Sequence, residues 1–238
     1  NGKPVTIEPK KEKKVDDDKT DYYFINSIGS DEVGTGDYFG PIIVCASYVN
    51  RKDISFLEEL GVRDSKKLTD DKILKIAPEI IKRIPHQEEI ISNTEYNNMQ
   101  DNGYNMNKIK AIYHNKAILG LMKKDNFVYD MVVVDQFTPE RNYYNYLKSE
   151  PNVFRKIKFT TKAEDKCLSV ACSSIISRYL FLKEIEKMGN SLGSFIPKGA
   201  STLVDDYGKK IVQNFGKEKL RSIAKLNFKN TEKILNEN

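Results

Sequence analysis

The apolar run MVVV at positions 131–134 constrains the fold strongly, because it is too short for a helix and apolar on both sides. Asp135 ends the run, and Thr138 followed by Pro139 then indicates the start of a helix. A strand with two apolar sides is typical of a sheet that is covered on both faces. This segment therefore predicts a sheet packed between helices.

Strand-like and helix-like segments alternate along the rest of the chain. Apolar residues recur every three or four positions in 69–84 and 166–188, with Thr69 as an N-cap, and 105–124 also indicates a helix. Strands are predicted at 22–30, 40–49, 87–94 and 152–159, and the first two of them should pair as a hairpin. The tail from 205 onward indicates helix. The alternation predicts an α/β domain with a mixed sheet.

Composition excludes several classes of protein. No run of about 18 apolar residues is present, so no membrane span is predicted. The three cysteines, Cys45, Cys167 and Cys172, form no CxxC pattern and predict buried free thiols in a reducing cytosol. With only two histidines, His86 and His114, neither a zinc site nor a Ser-His-Asp triad is expected. We therefore expect a cytoplasmic protein.

Charge divides the chain in two. Residues 1–20 contain EPKKEKKVDDD and predict a disordered leader, whereas 21–238 predict one folded domain. The net charge of +5 is compatible with a phosphate-bearing partner, although lysine-rich surfaces are often merely solvated.

Acidic residues stand where strands end. Asp31 and Glu32 precede a turn with glycines at Gly34 and Gly36, and both can face one site only if the strand kinks or ends there. Asp135 ends the buried strand, at the kind of edge where α/β sheets bind ligands. A β-turn mouth and an exposed turn aspartate are the alternative interpretations of these positions.

Glu164 is a further candidate on a third segment. It completes TKAE, which matches a capping box before the helix at 166–188, so capping is the alternative to a role at the site. Oxygen-only clusters suit Mg²⁺ or Mn²⁺, and metal ions remove the repulsion that clustered carboxylates otherwise suffer. Four carboxylates therefore predict two divalent ions and phosphodiester cleavage.

Candidate phosphate contacts lie near these acids. Ser65 and Lys66 belong to RDSKKL, a loop before a helix whose free N–H groups offer an anion site, and Lys162 precedes Glu164. Lysine clusters are more often solvated surface, which is the alternative here.

The order of these segments resembles the type 2 ribonucleases H, and ribonuclease HIII in particular. The similarity rests on GSDEVGTGDYFGP, DSKKL, VVVDQF, TKAEDKCLSVACSSIISRY and PKGAS, and extends from residue 22 to the C-terminus. The middle residue of the glycine turn, Thr35, and the glutamate of KAE are similar to HIII rather than to its sister HII.

The resemblance implies an RNase H-like fold: a five-stranded mixed sheet flanked by helices, here with a helical C-terminal extension. It implies endonucleolytic cleavage of the RNA strand of RNA–DNA hybrids, leaving 5′-phosphate and 3′-hydroxyl ends. Asp31, Glu32, Asp135 and Glu164 correspond to the family's metal-binding carboxylates.

The resemblance also implies roles for the neighbouring residues. The backbone of Gly34, Thr35 and Gly36 would lie in the minor groove of the hybrid, where it can contact 2′-hydroxyls. Ser65, Lys66 and Lys162 would hold phosphates.

Family members usually carry an N-terminal substrate-binding domain, so the charged leader is interpreted as the remnant of a missing region, and a monomer is expected. Three other activities remain as alternatives: HII-like cutting at a single embedded ribonucleotide, a catalytically silent nucleic-acid-binding module, and a recombinase-type nuclease that cuts DNA.

Overall fold

A computed structural model describes residues 22–236 as a mixed sheet between two helical layers, with further helices at one end. The leader predicted at 1–20 lies outside the described residues. The strands are β1 (Ser27–Val33), β2 (Ile42–Val49), β3 (His86–Ile91), β4 (Met131–Asp135) and β5 (Ile157–Thr160). The α-helices are α1 (Ile54–Glu59), α2 (Asp70–Arg83), α3 (Asn93–Asp101), α4 (Met106–Met122), α5 (Glu140–Tyr146), α6 (Leu168–Leu192), α7 (Thr202–Phe215), α8 (Lys217–Ile223) and α9 (Lys229–Leu235).

The sheet has five strands in the order β3-β2-β1-β4-β5. β1 pairs antiparallel with β2 in the predicted hairpin, and β2 pairs antiparallel with β3. β4 is parallel to both β1 and β5. The mixed sheet predicted from the sequence is therefore confirmed, and it places the ends of β1 and β4 side by side.

Successive side chains of β4 face opposite layers, as a strand requires. Val132 and Val134 pack with α4 and α5, whereas Val133 packs with Val170 of α6. Both faces are apolar because both are covered, which is why the run MVVV contains no polar residue.

The C-terminal helices form a separate apolar cluster at the end of the sheet. Ile211, Leu220 and Ile234 of α7, α8 and α9 pack with Tyr38 and Phe39, which follow β1. The helical C-terminal extension predicted from the sequence thus packs against the turn that follows β1.

Several predictions of detail are corrected by the structure. The capping box at TKAE is absent: α6 begins at Leu168 with Cys167 as its N-cap, and the Ala163–Asp165 segment forms a short 3-10 turn instead. Pro139, rather than Thr138, is the N-cap of α5. Thr69 caps α2 as predicted, because its hydroxyl accepts a hydrogen bond from the Lys72 N–H group.

The three cysteines are free and buried, as predicted. Within 22–236, none of the helices is both long and apolar enough to cross a lipid bilayer.

Candidate active site

The acidic pair on β1 lies within a regular strand. β1 continues to Val33 and remains paired with β2 as far as Ile43, so the strand does not kink at this pair but ends one residue after it. Neighbouring side chains of a regular strand point to opposite faces. Asp31 and Glu32 therefore leave β1 toward opposite faces of the sheet, but they do so at the end of the strand, where both border the same site.

Glu32 faces α4, where two basic side chains hold its carboxylate. Its Oε1 pairs with the Lys110 ammonium group, and its Oε2 lies 2.8 Å from His114 Nε2. His114 Nδ1 in turn lies 2.6 Å from the buried Ser30 hydroxyl. Burial alone would raise the pKa of Glu32, but the hydrogen bond and charge of His114, together with Lys110, lower it to about 2.

Asp135 and Glu164 come from neighbouring segments on the other side. Asp135 ends β4, and its Oδ1 accepts a 2.8 Å hydrogen bond from the Ala163 N–H group. Ala163 and Glu164 share the 3-10 turn that follows β5. The Asp135–Ala163 bond therefore ties the segment that carries Glu164 to the end of β4.

The charges of these acids act on one another. The pKa of Asp31 is raised well above its ordinary value, first by burial and then by the charges of Glu32, Asp135 and Glu164. The pKa of Asp135 is also raised, first by burial and then by Glu164 and Glu32. The negative charge at this end of the sheet is thus only partly compensated by the protein.

The carboxylates do not form a ready-made metal cage. Within the described residues, no three His, Cys, Asp or Glu side chains are arranged to hold a metal ion as they stand. The contacts explain why: both oxygens of Glu32 meet basic groups on α4, and Glu164 Oε1 lies 2.9 Å from Lys66 Nζ.

The two glycines of the turn after β1 have different surroundings. Gly34 is required by the fold, because its φ is +102° and a Cβ atom there would lie 2.2 Å from the Pro41 carbonyl oxygen. Gly36 is exposed, and a Cβ atom there would meet nothing within 4 Å in the described part of the chain. Nothing described in the folded chain explains glycine at Gly36, and Thr35 beside it is partly exposed.

The candidate phosphate contacts border the acids. Lys66, in the Val62–Lys67 3-10 helix with Ser65, binds Glu164 and also Asp165 at 2.8 Å. Lys162 is exposed and adopts a left-handed backbone with φ of 53°, a conformation that non-glycine residues rarely occupy. Both lysines therefore lie beside Glu164.

The four carboxylates are partly buried. A cavity of about 710 Å³ lies elsewhere, lined by residues such as Tyr48, Arg83 and Phe127 near the start of β1. It contains none of the four carboxylates, so we assign it no part in the chemistry.

Sequence reasoning missed Lys110 and His114. They stand four residues apart, which places them on one face of α4, and both are buried. The sequence does contain a signal for them: a lysine and a histidine stand at this spacing among the apolar residues Ile109, Ile112 and Ile118. Because such groups are seldom buried without a partner, this pattern predicts an acidic partner for the pair.

The chain is similar to known proteins over most of its length. The chain matches the family model described as Ribonuclease HII over residues 28–231. The chain belongs to the type 2 ribonuclease H family. A protein named Ribonuclease HIII from Phytoplasma mali is 49% identical over 209 residues, which cover 87% of this chain and 72% of that protein. The Ribonuclease HIII of Lactococcus lactis is 46% identical over 211 residues, covering 88% and 72%.

Solved structures of the family share the fold. Bst-RNase HIII in complex with Mn²⁺ matches with a TM-score of 0.88 and 40% identity, covering 90% of this chain and 70% of that one. RNase H3 of Aquifex aeolicus matches with a TM-score of 0.68 and 28% identity, covering 85% and 72%. The resemblance to ribonuclease HIII and the RNase H-like fold are thereby confirmed, and the chain is a ribonuclease H, a hydrolase.

Proposed function

We propose that this chain cuts the RNA strand of RNA–DNA hybrids with the help of two divalent ions, Mg²⁺ or Mn²⁺, and leaves 5′-phosphate and 3′-hydroxyl ends. One observation carries the proposal: Asp31, Asp135 and Glu164 come from separate segments, yet their charges act on one another at the end of the sheet. The names of the relatives and the Mn²⁺ complex of Bst-RNase HIII support the same chemistry.

The donor set fits hard divalent cations. It consists of carboxylate oxygens, and the pKa of Asp31 and of Asp135 is raised first by burial and then by neighbouring negative charge, which a cation would neutralise. Asp31, Glu32, Asp135 and Glu164 would hold the ions. When bound, such ions activate water and stabilise the leaving oxygen in phosphodiester cleavage.

The chain's own residues would position the duplex. The open backbone at Gly36, beside the partly exposed Thr35, is free to approach the minor groove and hydrogen-bond 2′-hydroxyls, whereas the buried Gly34 would contribute by shaping the turn. Ser65, Lys66 and Lys162 would hold phosphates, with Lys66 leaving Glu164 to do so. Binding would then be independent of sequence and sensitive to salt.

A cleavage assay tests the proposal. Labelled RNA–DNA hybrid, a DNA duplex with one embedded ribonucleotide, and plain duplex DNA are each incubated with the chain under Mg²⁺, Mn²⁺ or EDTA, and the product ends are mapped. We expect only the hybrid to be cut efficiently, and only with metal.

Each alternative activity gives a different result in that assay. Preferred cutting at the single ribonucleotide would indicate HII-like specificity. Binding of the hybrid without metal-dependent cutting would indicate a silent module, and cleavage of duplex DNA would indicate a recombinase-type nuclease.

We further propose that residues 21–238 act as one catalytic domain, as a monomer, in the cytoplasm. Light scattering at assay concentration tests the oligomeric state: a mass near 27.3 kDa is expected, and twice that value would contradict it.

A further inference from the structure

Lys225, in the segment between α8 and α9, is a fully buried lysine. Lysine is almost never buried without partners, because removing its charge from water is costly. Burial accordingly lowers its pKa to about 7, although the charge of Asp37 acts in the opposite direction. Because burying this lysine costs free energy, we looked for the contacts that its side chain makes.

Its side chain binds the main chain of the turn after β1. Lys225 Nζ donates hydrogen bonds to the carbonyl oxygens of Asp37 and Gly40, at 2.7 and 2.5 Å. Both acceptors are backbone atoms at the C-terminal end of the glycine turn. The lysine therefore restrains the backbone conformation of residues 37–40 rather than the position of one side chain.

Main-chain bonds connect the same two segments. The Lys225 N–H group donates to the Tyr38 carbonyl oxygen at 2.8 Å, and the Gly40 N–H group donates to the Ile223 carbonyl oxygen at 3.0 Å. Phe39 and Ala224 form an isolated β-bridge between them. The segment that carries Lys225 thus acts as a short strand paired with 38–40.

The PKGAS segment holds the turn from another side. The Gly199 N–H group donates to Asp37 Oδ1 at 2.7 Å, and the Tyr38 N–H group donates to the Gly199 carbonyl oxygen at 2.9 Å. These contacts restrain the backbone of residues 37–40, whereas the adjacent Gly36 has no described neighbour within 4 Å of its Cβ position. The turn is anchored at its far end and exposed where a duplex would approach.

We propose that Lys225 is a positioning residue for substrate binding: it anchors the turn at 37–40 so that the backbone of 34–36 is already in place for the minor groove of the hybrid. The inference rests on the proposed function of that turn. Preorganisation strengthens binding because less conformational freedom is lost when the duplex arrives. The C-terminal helices would thereby take part in binding without touching the substrate.

Lys225→Met tests the inference, because methionine keeps the length and apolar body of lysine but cannot donate the two hydrogen bonds. In the metal-free, substrate-free full chain, we expect amide hydrogen exchange at Asp37, Tyr38 and Gly40 to become about tenfold faster or more. The KM for the hybrid should rise about tenfold, while kcat stays within about twofold.

Lys233→Met is the matched control. Lys233 belongs to the same C-terminal unit, but its side chain is 57% exposed and pairs with Asp205 at 3.4 Å rather than with the turn. We expect unchanged exchange at 37–40 and an unchanged KM for this variant. Should Lys225→Met fail to fold, Lys225→Gln keeps an N–H donor and should give the same changes in smaller degree.

The two arms separate the failure of this inference from the failure of the proposed function. If folded Lys225→Met leaves either the exchange at 37–40 or the KM for the hybrid unchanged, the positioning role is overturned. If the unmodified chain cuts no hybrid, the proposed function fails and substrate positioning fails with it, although the exchange arm still reports whether Lys225 holds the turn.

Discussion

At the scale of single residues, the ionised side chain of Asp135 lowers the stability of the folded protein. Burial and the charges of Glu164 and Glu32 raise its pKa, so its ionised form is disfavoured in the folded protein. The only described hydrogen bond of its side chain is the one that Oδ1 accepts from the Ala163 N–H group. The negative charge itself is thus not required by the fold.

Asp135→Asn should therefore abolish hybrid cleavage without loss of stability. The asparagine Oδ1 atom can still accept the Ala163 hydrogen bond, while one repulsive charge disappears. We expect the free energy of unfolding, measured in urea, to stay constant or rise by up to about 1 kcal/mol. A marked drop in that free energy would show that Asp135 is a structural residue instead.

Tyr143 offers a second test at the scale of one atom. Its hydroxyl group is buried and has no hydrogen-bond partner among residues 22–236. Tyr143→Phe should raise the free energy of unfolding by about 1 kcal/mol, because the penalty for an unpaired buried hydroxyl is removed.

Tyr96→Phe is the control for that change. The Tyr96 hydroxyl donates to Asn227 Oδ1 at 3.1 Å and accepts from Gln100 Nε2 at 3.0 Å. Losing those bonds should lower the free energy of unfolding by about 1 kcal/mol. Equal effects of the two substitutions would contradict the assignment of Tyr143 as unpaired.

At the scale of elements, the packing of α6 on β1 determines the arrangement of the site. Ser173 of α6 donates to the Gly29 carbonyl oxygen at 2.8 Å, and Ser169 bonds Ser27 at the same distance. Such short contacts are possible because Gly29 has no side chain. The turn that carries Glu164 lies just before α6 in the chain, so this packing also helps to position Glu164.

Gly29→Ala should disrupt that packing. A Cβ atom there would lie 2.3 Å from the Val170 amide nitrogen and 2.6 Å from the Ser169 carbonyl carbon, both backbone atoms that cannot turn aside. We expect the free energy of unfolding to fall by about 1–3 kcal/mol and cleavage activity to fall with it.

Gly36→Ala is the matched control on the same strand-and-turn unit. It should change the free energy of unfolding by less than about 0.5 kcal/mol, because a Cβ atom there meets no described neighbour. If the backbone of Gly36 meets the minor groove, the KM for the hybrid should nevertheless rise. An unchanged KM would remove Gly36 from the binding surface.

At the scale of the whole molecule, the C-terminal helices connect distant parts of the chain through a buried charge. Burial lowers the pKa of Lys225 to about 7, well below the ordinary value of 10.5. Between pH 7 and about 10, the unfolded chain therefore holds a proton that the folded chain tends to release. The free energy of unfolding should rise with pH in this window, while the full cost of burying the charge persists below it.

This pH dependence can be measured by difference. The free energy of unfolding of the unmodified chain, minus that of Lys225→Met, should increase between pH 7 and pH 9. We expect an increase of at most about 1.4 kcal/mol per pH unit. Other titrating groups cancel in that comparison. Parallel pH profiles for the two proteins would mean that Lys225 titrates in the folded chain as it does in the unfolded one.

Local patterns predicted the elements well where one physical rule dominated. The apolar run of β4, the helical spacing of α2 and α6 and the N-cap at Thr69 follow from burial and hydrogen bonding within a few residues. TKAE does not form a capping box, because its Ala163 N–H group is hydrogen-bonded to Asp135, which lies 28 residues earlier in the chain. The strand through Asp31 and Glu32 does not kink, because β2 pairs with it as far as Val33, but it ends directly after this pair.

By itself, the sequence determined the alternation of elements, the family and the four candidate carboxylates, because these depend on residue types and their order. Only the tertiary structure decided which groups meet: Glu32 with Lys110 and His114, Glu164 with Lys66, and Lys225 with the turn at 37–40. The physical reason is that burial and Coulomb interactions depend on distances in space. Those distances are set by how the strands and helices pack, which residue spacing along the chain does not encode.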